Sequence, residues 1–309
     1  SLSMLAPHSL AAKVEGDLAL EAGQVDWTLA SEGPLEQLLT TGRIDWRGAE
    51  TPDAVVNLAV QSSLTNIQFH ELVAELLDGH LLLRGDIDWS EGLDWNLALS
   101  GENLQLAPWV ELATGPVDFE LESKGRLDSQ GELRHDSRLI HASAELAGIT
   151  LTDLSTRVIG TLSQAQIQEL SLHGLDGFVS GDGEVDWQDG IRWQATIMGR
   201  DLNPGQVAEA IEGQVRFRVQ TQGHIDSEGQ LDHHTRLDDL TGVLAGVPFE
   251  ALGLTVRGDL ERMTIEELAG RILDAQLAGG AQLRLGQESI DWDAKLSLDH
   301  ADLGTLQHL

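Results

Sequence analysis

Asp176, Asp182, Asp186 and Asp189 crowd into one short stretch, and His233-His234 follows directly on Asp232. Carboxylates at such density are calcium ligands, and imidazoles beside a carboxylate are ligands for zinc. Neither pattern fits. Calcium-binding β-repeats need a regular nonapeptide spacing that the four aspartates lack, and a place on a solvated face explains them. Neighbouring residues on a strand point to opposite faces, so His233 and His234 are poorly placed to share one ion. There is no GxSxG, P-loop or HExxH, and no GxGxxG placed after a strand. The sequence therefore predicts no catalytic residue, no metal and no cofactor, and the chain reads as a non-enzyme.

What remains is a set of six Asp-Trp pairs, ending in Trp27, Trp46, Trp89, Trp95, Trp187 and Trp292. Their context repeats. GDIDWSEGLDW (85–95) returns as GEVDWQDGIRW (183–193), so that Trp89 and Trp187, like Trp95 and Trp193, stand 98 residues apart. GRLDSQGEL (125–133) returns as GHIDSEGQL (223–231). TNIQFHELVAELLDG (65–79) returns as SQAQIQELSLHGLDG (163–177) and again as ERMTIEELAGRILDA (261–275). Such self-similarity defines a repeat array. It divides the chain into a partial β-repeat over 1–60, full units over 61–158 and 159–257, and a partial one over 258–309. One continuous array is expected, without independent linkers.

The repeat also decides the elements. FHELVAELLDG alone resembles an amphipathic helix, but its counterpart IQELSLHGLDG carries Ser, His and Gly where a helix needs better formers. All three copies are therefore read as strands. Elsewhere the alternation is strict. Val117, Phe119 and Leu121 share one face opposite three acids, and Val215, Phe217 and Val219 share the equivalent face. The loops Ser90-Glu91-Gly92, Gln188-Asp189-Gly190, Ser129-Gln130-Gly131 and Ser227-Glu228-Gly229 suit a type I turn with a left-handed glycine and a G1 bulge. In that register Ile87, Trp89, Leu93, Trp95 and Leu97 line one side of a hairpin, as do Val185, Trp187, Ile191 and Trp193 in its copy. Short helices are expected over 104–115 and 202–213, with the start of a third at DLGTLQHL (302–309).

The fold class is thus all-β: a mostly antiparallel repeat sheet that must hide one apolar face. A filled sandwich or a U-shaped trough satisfies this, and a one-dimensional array favours the elongated trough. Roughly 20 strands about 4.8 Å apart extend on the order of 100 Å. The net charge of −32, from 19 basic and 51 acidic residues, argues against nucleic acid and against anionic membrane faces. The plain reading is a solvated surface, such as salt-adapted organisms carry. The absence of Cys excludes disulfides and leaves the redox compartment open. No stretch approaches the roughly 20 apolar residues of a spanning helix. The opening SLSMLAPHSLAAK starts abruptly, as an excised piece would, so any targeting signal is expected outside it.

An apolar trough walled by carboxylates suits acyl chains. Each buried methylene is worth about 0.8 kcal/mol, so a 16-carbon chain needs roughly 12 kcal/mol of contact along its whole path.

The cadence Gly183 to Trp193, followed by DLNPG (201–205), resembles the TamB family, within the AsmA-like group of Gram-negative envelope proteins. The resemblance spans nearly the whole chain as repeat cadence. It implies a middle fragment of a longer periplasmic protein with a taco-like β-sheet and an inner-membrane anchor outside this piece. It also implies phospholipid acyl chains as cargo and an Omp85-type outer-membrane partner bound through another region. Alternatives are a chaperone-like scaffold for autotransporters and β-barrels, which offers sheet edges to client strands, and a structural β-repeat stalk with a filled interior.

Overall fold

The computed structural model describes residues 2–5, 9–20, 22–49, 51–107, 110, 113–146, 148–206, 211–244, 247–259, 261–272, 275–285 and 290–300. It divides into two units, Ser1–Leu162 and Ser163–Leu309. The first holds β1 (Leu2–Leu5), β2 (Ser9–Leu20), β3 (Gly23–Pro34), β4 (Leu38–Gly48), β5 (Ala54–Ser62) and β6 (Asn66–Leu76). It continues with β7 (Gly79–Asp88), β8 (Gly92–Gln105), β9 (Pro116–Asp128), β10 (Leu133–Leu146) and β11 (Ile149–Gly160). The second holds β12 (Gln164–Gly174), β13 (Gly177–Asp186), β14 (Ile191–Leu202), β15 (Ile211–Ile225) and β16 (Leu231–Leu244). It ends with β17 (Val247–Gly258), β18 (Arg262–Ile272), β19 (Ala275–Leu285) and β20 (Ile290–Asp299). Within each unit every strand pairs antiparallel with its predecessor in the chain.

The three segments that look helical in isolation are β6, β12 and β18. Their registers slip between Phe69 and Leu72, Ile167 and Leu170, and Ile265 and Leu268. Each slip is a β-bulge, and it moves the next inward side chain from two residues away to three. That spacing is what mimics a helix. Similar slips lie between Gly101 and Leu104 on β8 and between Gly199 and Leu202 on β14, with Asn103 and Asp201 both at φ 56°. A bulge bends its strand and increases the local twist.

The hairpin loops divide into kinds that the sequence reading merged. Gly131 and Gly229 are left-handed, at φ 83° and 80°, and donate to Asp128 O and Asp226 O, as a type I turn with a G1 bulge requires. The tryptophan hairpins close differently, with Gly92 at φ 147° and Gly190 at φ 95°. There the Asp of the Asp-Trp pair caps the turn: Asp88 accepts from Ser90 N at 2.9 Å and Asp186 from Gln188 N at 3.2 Å. The repeated Leu-Asp dipeptides are two-residue turns with both residues at positive φ: Leu77 at 53° and Asp78 at 58°, Leu175 at 52° and Asp176 at 60°. This is type I′ geometry, for which leucine is a poor residue. The third copy, Leu273-Asp274, lies outside the described residues.

The expected helices are corrected at their ends, while inside the first Val110 N donates to Leu106 O and Ala113 N to Val110 O. Leu104 and Gln105 close β8 opposite Val117 and Pro116, and Ile211 opens β15 opposite Leu244. Between β14 and β15 the described structure is a single 3-10 turn, Pro204–Gln206. Leu104 and Leu202 are only 3% and 6% exposed, and burial in the sheet outweighs their helix propensity. Residues 108–109, 111–112, 207–210 and 302–309 lie outside the described residues. Among the described residues the buried hydrophobic side chains are scattered along the strands, with Leu104, Leu202 and Phe249 at 3%, 6% and 7% exposed.

Candidate functional site

Directly opposed residues of an antiparallel sheet share a face, so the registers define rows that run across the strands. One row in the first unit runs unbroken from β2 to β11. It comprises Val14, Leu29, Gly42, Leu58, Leu72, Leu83, Leu99, Leu121, Leu139 and Thr156. The second unit repeats it from β12 to β17 as Leu170, Gly181, Ile197, Val219, Leu237 and Leu254. Of these, only Leu121 and Val219 stand out in the sequence. Leu72 and Leu170 belong to the repeated segments, and the others lie on strands without a motif, readable only once the register was fixed.

Beside this track lies a row of aromatic rings laid on glycines. Trp27 opposes Gly16, Phe119 opposes Gly101 and Phe217 opposes Gly199. A Cβ on those glycines would sit 2.4, 2.5 and 2.6 Å from the rings. On the other side of the track, Trp95 covers Gly125 and Trp193 covers Gly223 in the same way, at 2.1 and 2.2 Å. Only glycine permits such contact, and the rings lie down on the sheet where a partner side chain would make them stand up.

The other expected lining residues fall on this same face. Ile87 opposes Trp95 and Val185 opposes Trp193. Leu93 opposes Leu127 and Ile191 opposes Ile225, while Leu97 lies between Gly85 and Ser123. Val117 opposes Leu104 and Val215 opposes Leu202. Trp89 and Trp187 sit beyond the ladder ends, 44% and 43% exposed. Trp89 leans back on the preceding turn, donating its indole N–H to Leu64 O at 2.9 Å.

One row along from the leucine track, the face turns polar at intervals. Ser123 and Ser137 share a hydrogen bond of 2.9 Å, and Trp95 Nε1 donates to Ser123 at 3.0 Å. His135 Nδ1 lies 3.2 Å from Ser137. In the second unit Thr221 and Thr235 share a bond of 2.9 Å, and Trp193 Nε1 donates to Thr221 at 3.4 Å. His233 Nδ1 instead donates to Gly258 O at 2.9 Å. Ser31 and Thr40 form a third pair at 2.8 Å. His234, opposite Gln222 and Arg257, is on the other face from His233.

The outer face is ionic. Arg157 grips Asp136 with two bonds of 2.9 and 2.7 Å, and holds its carboxyl below the ordinary range. Asp17, Asp26 and Asp45 align across β2, β3 and β4, in a hollow of about 880 Å³ that Arg43 also lines. Arg43 pairs with Asp45 at 2.6 Å and Arg47 with Asp26 at 2.8 Å. The Ser90 hydroxyl and then its backbone amide hold Asp88 below the ordinary carboxylate range. Among the described residues no group of three or more His, Asp or Glu is arranged to hold a metal. The candidate site is the apolar face, with its leucine track, flattened rings and hydroxyl pairs.

A family model described as TamB, N-terminal domain, matches residues 14–144 and, overlapping them, 123–255. No curated protein and no solved structure matches the chain.

Proposed function

The chain belongs to the TamB family of Gram-negative envelope proteins, and from that premise we propose that it is a non-enzymatic stretch of a periplasmic lipid path. Phospholipid acyl chains lie along the leucine track while their head groups remain in water. The carrying observation is the unbroken row from β2 to β11, apolar from Val14 to Leu139 and ending on Thr156. With strands about 4.8 Å apart it spans roughly 43 Å. Contact along the whole of that length keeps a moving chain from ever facing water. The bulges supply bends from which a trough is made, and the flattened rings keep its floor low. In this reading an inner-membrane anchor and an Omp85-type outer-membrane partner stand at the two ends of the path.

Native mass spectrometry of the purified chain tests the proposal, together with photoreactive side chains placed at Phe119 and Phe217. Retained phospholipid and crosslinks to acyl carbons are expected. An empty chain without crosslinks overturns the reading. Capture of client β-strands at a sheet edge, indifferent to charges on the apolar face, would favour the assembly scaffold instead.

A further inference from the structure

The hydroxyl pairs form a pattern that the indoles do not explain. Ser31 and Thr40 bridge β3 and β4, Ser123 and Ser137 bridge β9 and β10, and Thr221 and Thr235 bridge β15 and β16. Each pair is directly opposed in its ladder and lies on the apolar face, two residues along the strands from the leucine track. Two residues of strand are roughly 7 Å. Satisfying a tryptophan N–H accounts for the second and third pairs, but the first has no indole on it among the described hydrogen bonds.

Counting protons sharpens the point. Two hydroxyls carry two protons, and one bond between them uses one. In Ser123–Ser137 the remaining proton has an acceptor within reach, His135 Nδ1 in the tautomer protonated at Nε2. Tryptophan only donates, so Trp193 takes up an acceptor site on Thr221 and leaves the proton count of that pair unchanged. Thr221–Thr235 and Ser31–Thr40 each keep one O–H without an acceptor among the described residues. A half-buried donor beside an apolar track is a place for an acceptor oxygen.

We infer that these hydroxyl pairs are binding rungs for the polar end of a lipid whose acyl chain lies on the leucine track. This rests on the lipid-path reading. The ligand group is a hydrogen-bond acceptor oxygen, either the ester carbonyl or a phosphate oxygen. The rungs give the path discrete resting places, where a polar end is held about 7 Å to the side of its chain. They also distinguish a phospholipid from a plain hydrocarbon, which the leucine track alone does not.

The test compares the unaltered 309-residue chain with Ser31→Ala/Thr40→Val, Thr221→Val/Thr235→Val and the combination of all four. Each is equilibrated with dipalmitoyl phosphatidylcholine, with its dihexadecyl ether analogue or with hexadecane, and retained ligand is measured by native mass spectrometry. Circular dichroism melting checks the fold. Ser31→Ala/Thr40→Val strands no indole and stays informative if the other variants melt early. The combined variant is expected to retain the diester at least threefold less well and hexadecane unchanged. A loss confined to the diester assigns the ester carbonyl, and an equal loss of the diether assigns the phosphate. Unchanged diester retention, or an equal fall for hexadecane, overturns the rungs and leaves the lipid path standing. If the unaltered chain retains neither phospholipid nor hexadecane, the lipid path fails and the rungs with it.

Discussion

Strands β9 and β15 hold the same place in two copies of the repeat, yet only one face of them is kept. Inward, Val117, Phe119, Leu121 and Ser123 become Val215, Phe217, Val219 and Thr221. Outward, Asp118, Glu120 and Glu122 become Arg216, Arg218 and Gln220. The outer charge has reversed while the inner chemistry has not. Its neighbours follow suit, since Asp136 and Arg157 of the first unit stand where the second has His234 and Thr255. The outer face accepts acids, bases or neutral polar groups at the same place. The inner face must present particular shapes in particular rows.

The comparison breaks most readily at the leucine track. Leu121→Asp, or Val219→Asp in the second unit, is expected to lower lipid retention more than tenfold with the β-sheet circular dichroism intact. A carboxylate there faces acyl carbon in place of water. Next come the glycines beneath the rings. Gly125→Val and Gly223→Val each push against an indole whose Cζ2 lies 2.1 or 2.2 Å from the new Cβ. Each should cost about 1–3 kcal/mol in urea unfolding, equally in the two copies.

Smaller effects sharpen the outer half of the contrast. Leu175→Asn suits the positive φ of its turn and should stabilise by about 0.4–1 kcal/mol in thermal unfolding. Leu77→Asn should gain less, because Leu77 is only 7% exposed. Arg157, and behind it Lys124, holds the Asp136 carboxyl below its ordinary range. Its stabilisation is full above the ordinary carboxylate pKa and is lost as pH falls through the lowered value. Asp136→Asn should therefore cost under about 1 kcal/mol at neutral pH and nothing in strong acid, as urea titrations across pH would show. Glu120→Arg, which copies Arg218, should stay within about 0.5 kcal/mol of the parent.

Much of this organisation was legible in the sequence because the repeat supplied a second opinion. One copy of FHELVAELLDG reads as a helix, but Gly174 in its counterpart does not. The i, i+3 spacing of Phe69 and Leu72 was the trace of a bulge, which periodicity alone cannot separate from a helical turn. The inward faces of β9 and β15 were read directly from their alternation. The leucine track was not, because a row belongs to the register between strands and no single strand displays it. The glycine partners had a signal that was missed: Gly125 and Gly223 recur at the same 98-residue offset as the tryptophans that cover them. The ends of 104–115 and 202–213 were misread because Leu104 and Leu202 follow bulges, which turn alternation into apparent helical spacing.

The rings lying on glycine have a kinetic consequence for the proposed path. A chain sliding across strands feels the wall as a series of steps, and any upright side chain or gap becomes a barrier. Each methylene left uncovered adds about 0.8 kcal/mol, which slows passage roughly fourfold. Three in succession slow it by about sixtyfold. Trp27, Trp95, Phe119, Trp193 and Phe217 each fill a hole and add little height. They act as paving, and the throughput of such a path is set by its roughest step.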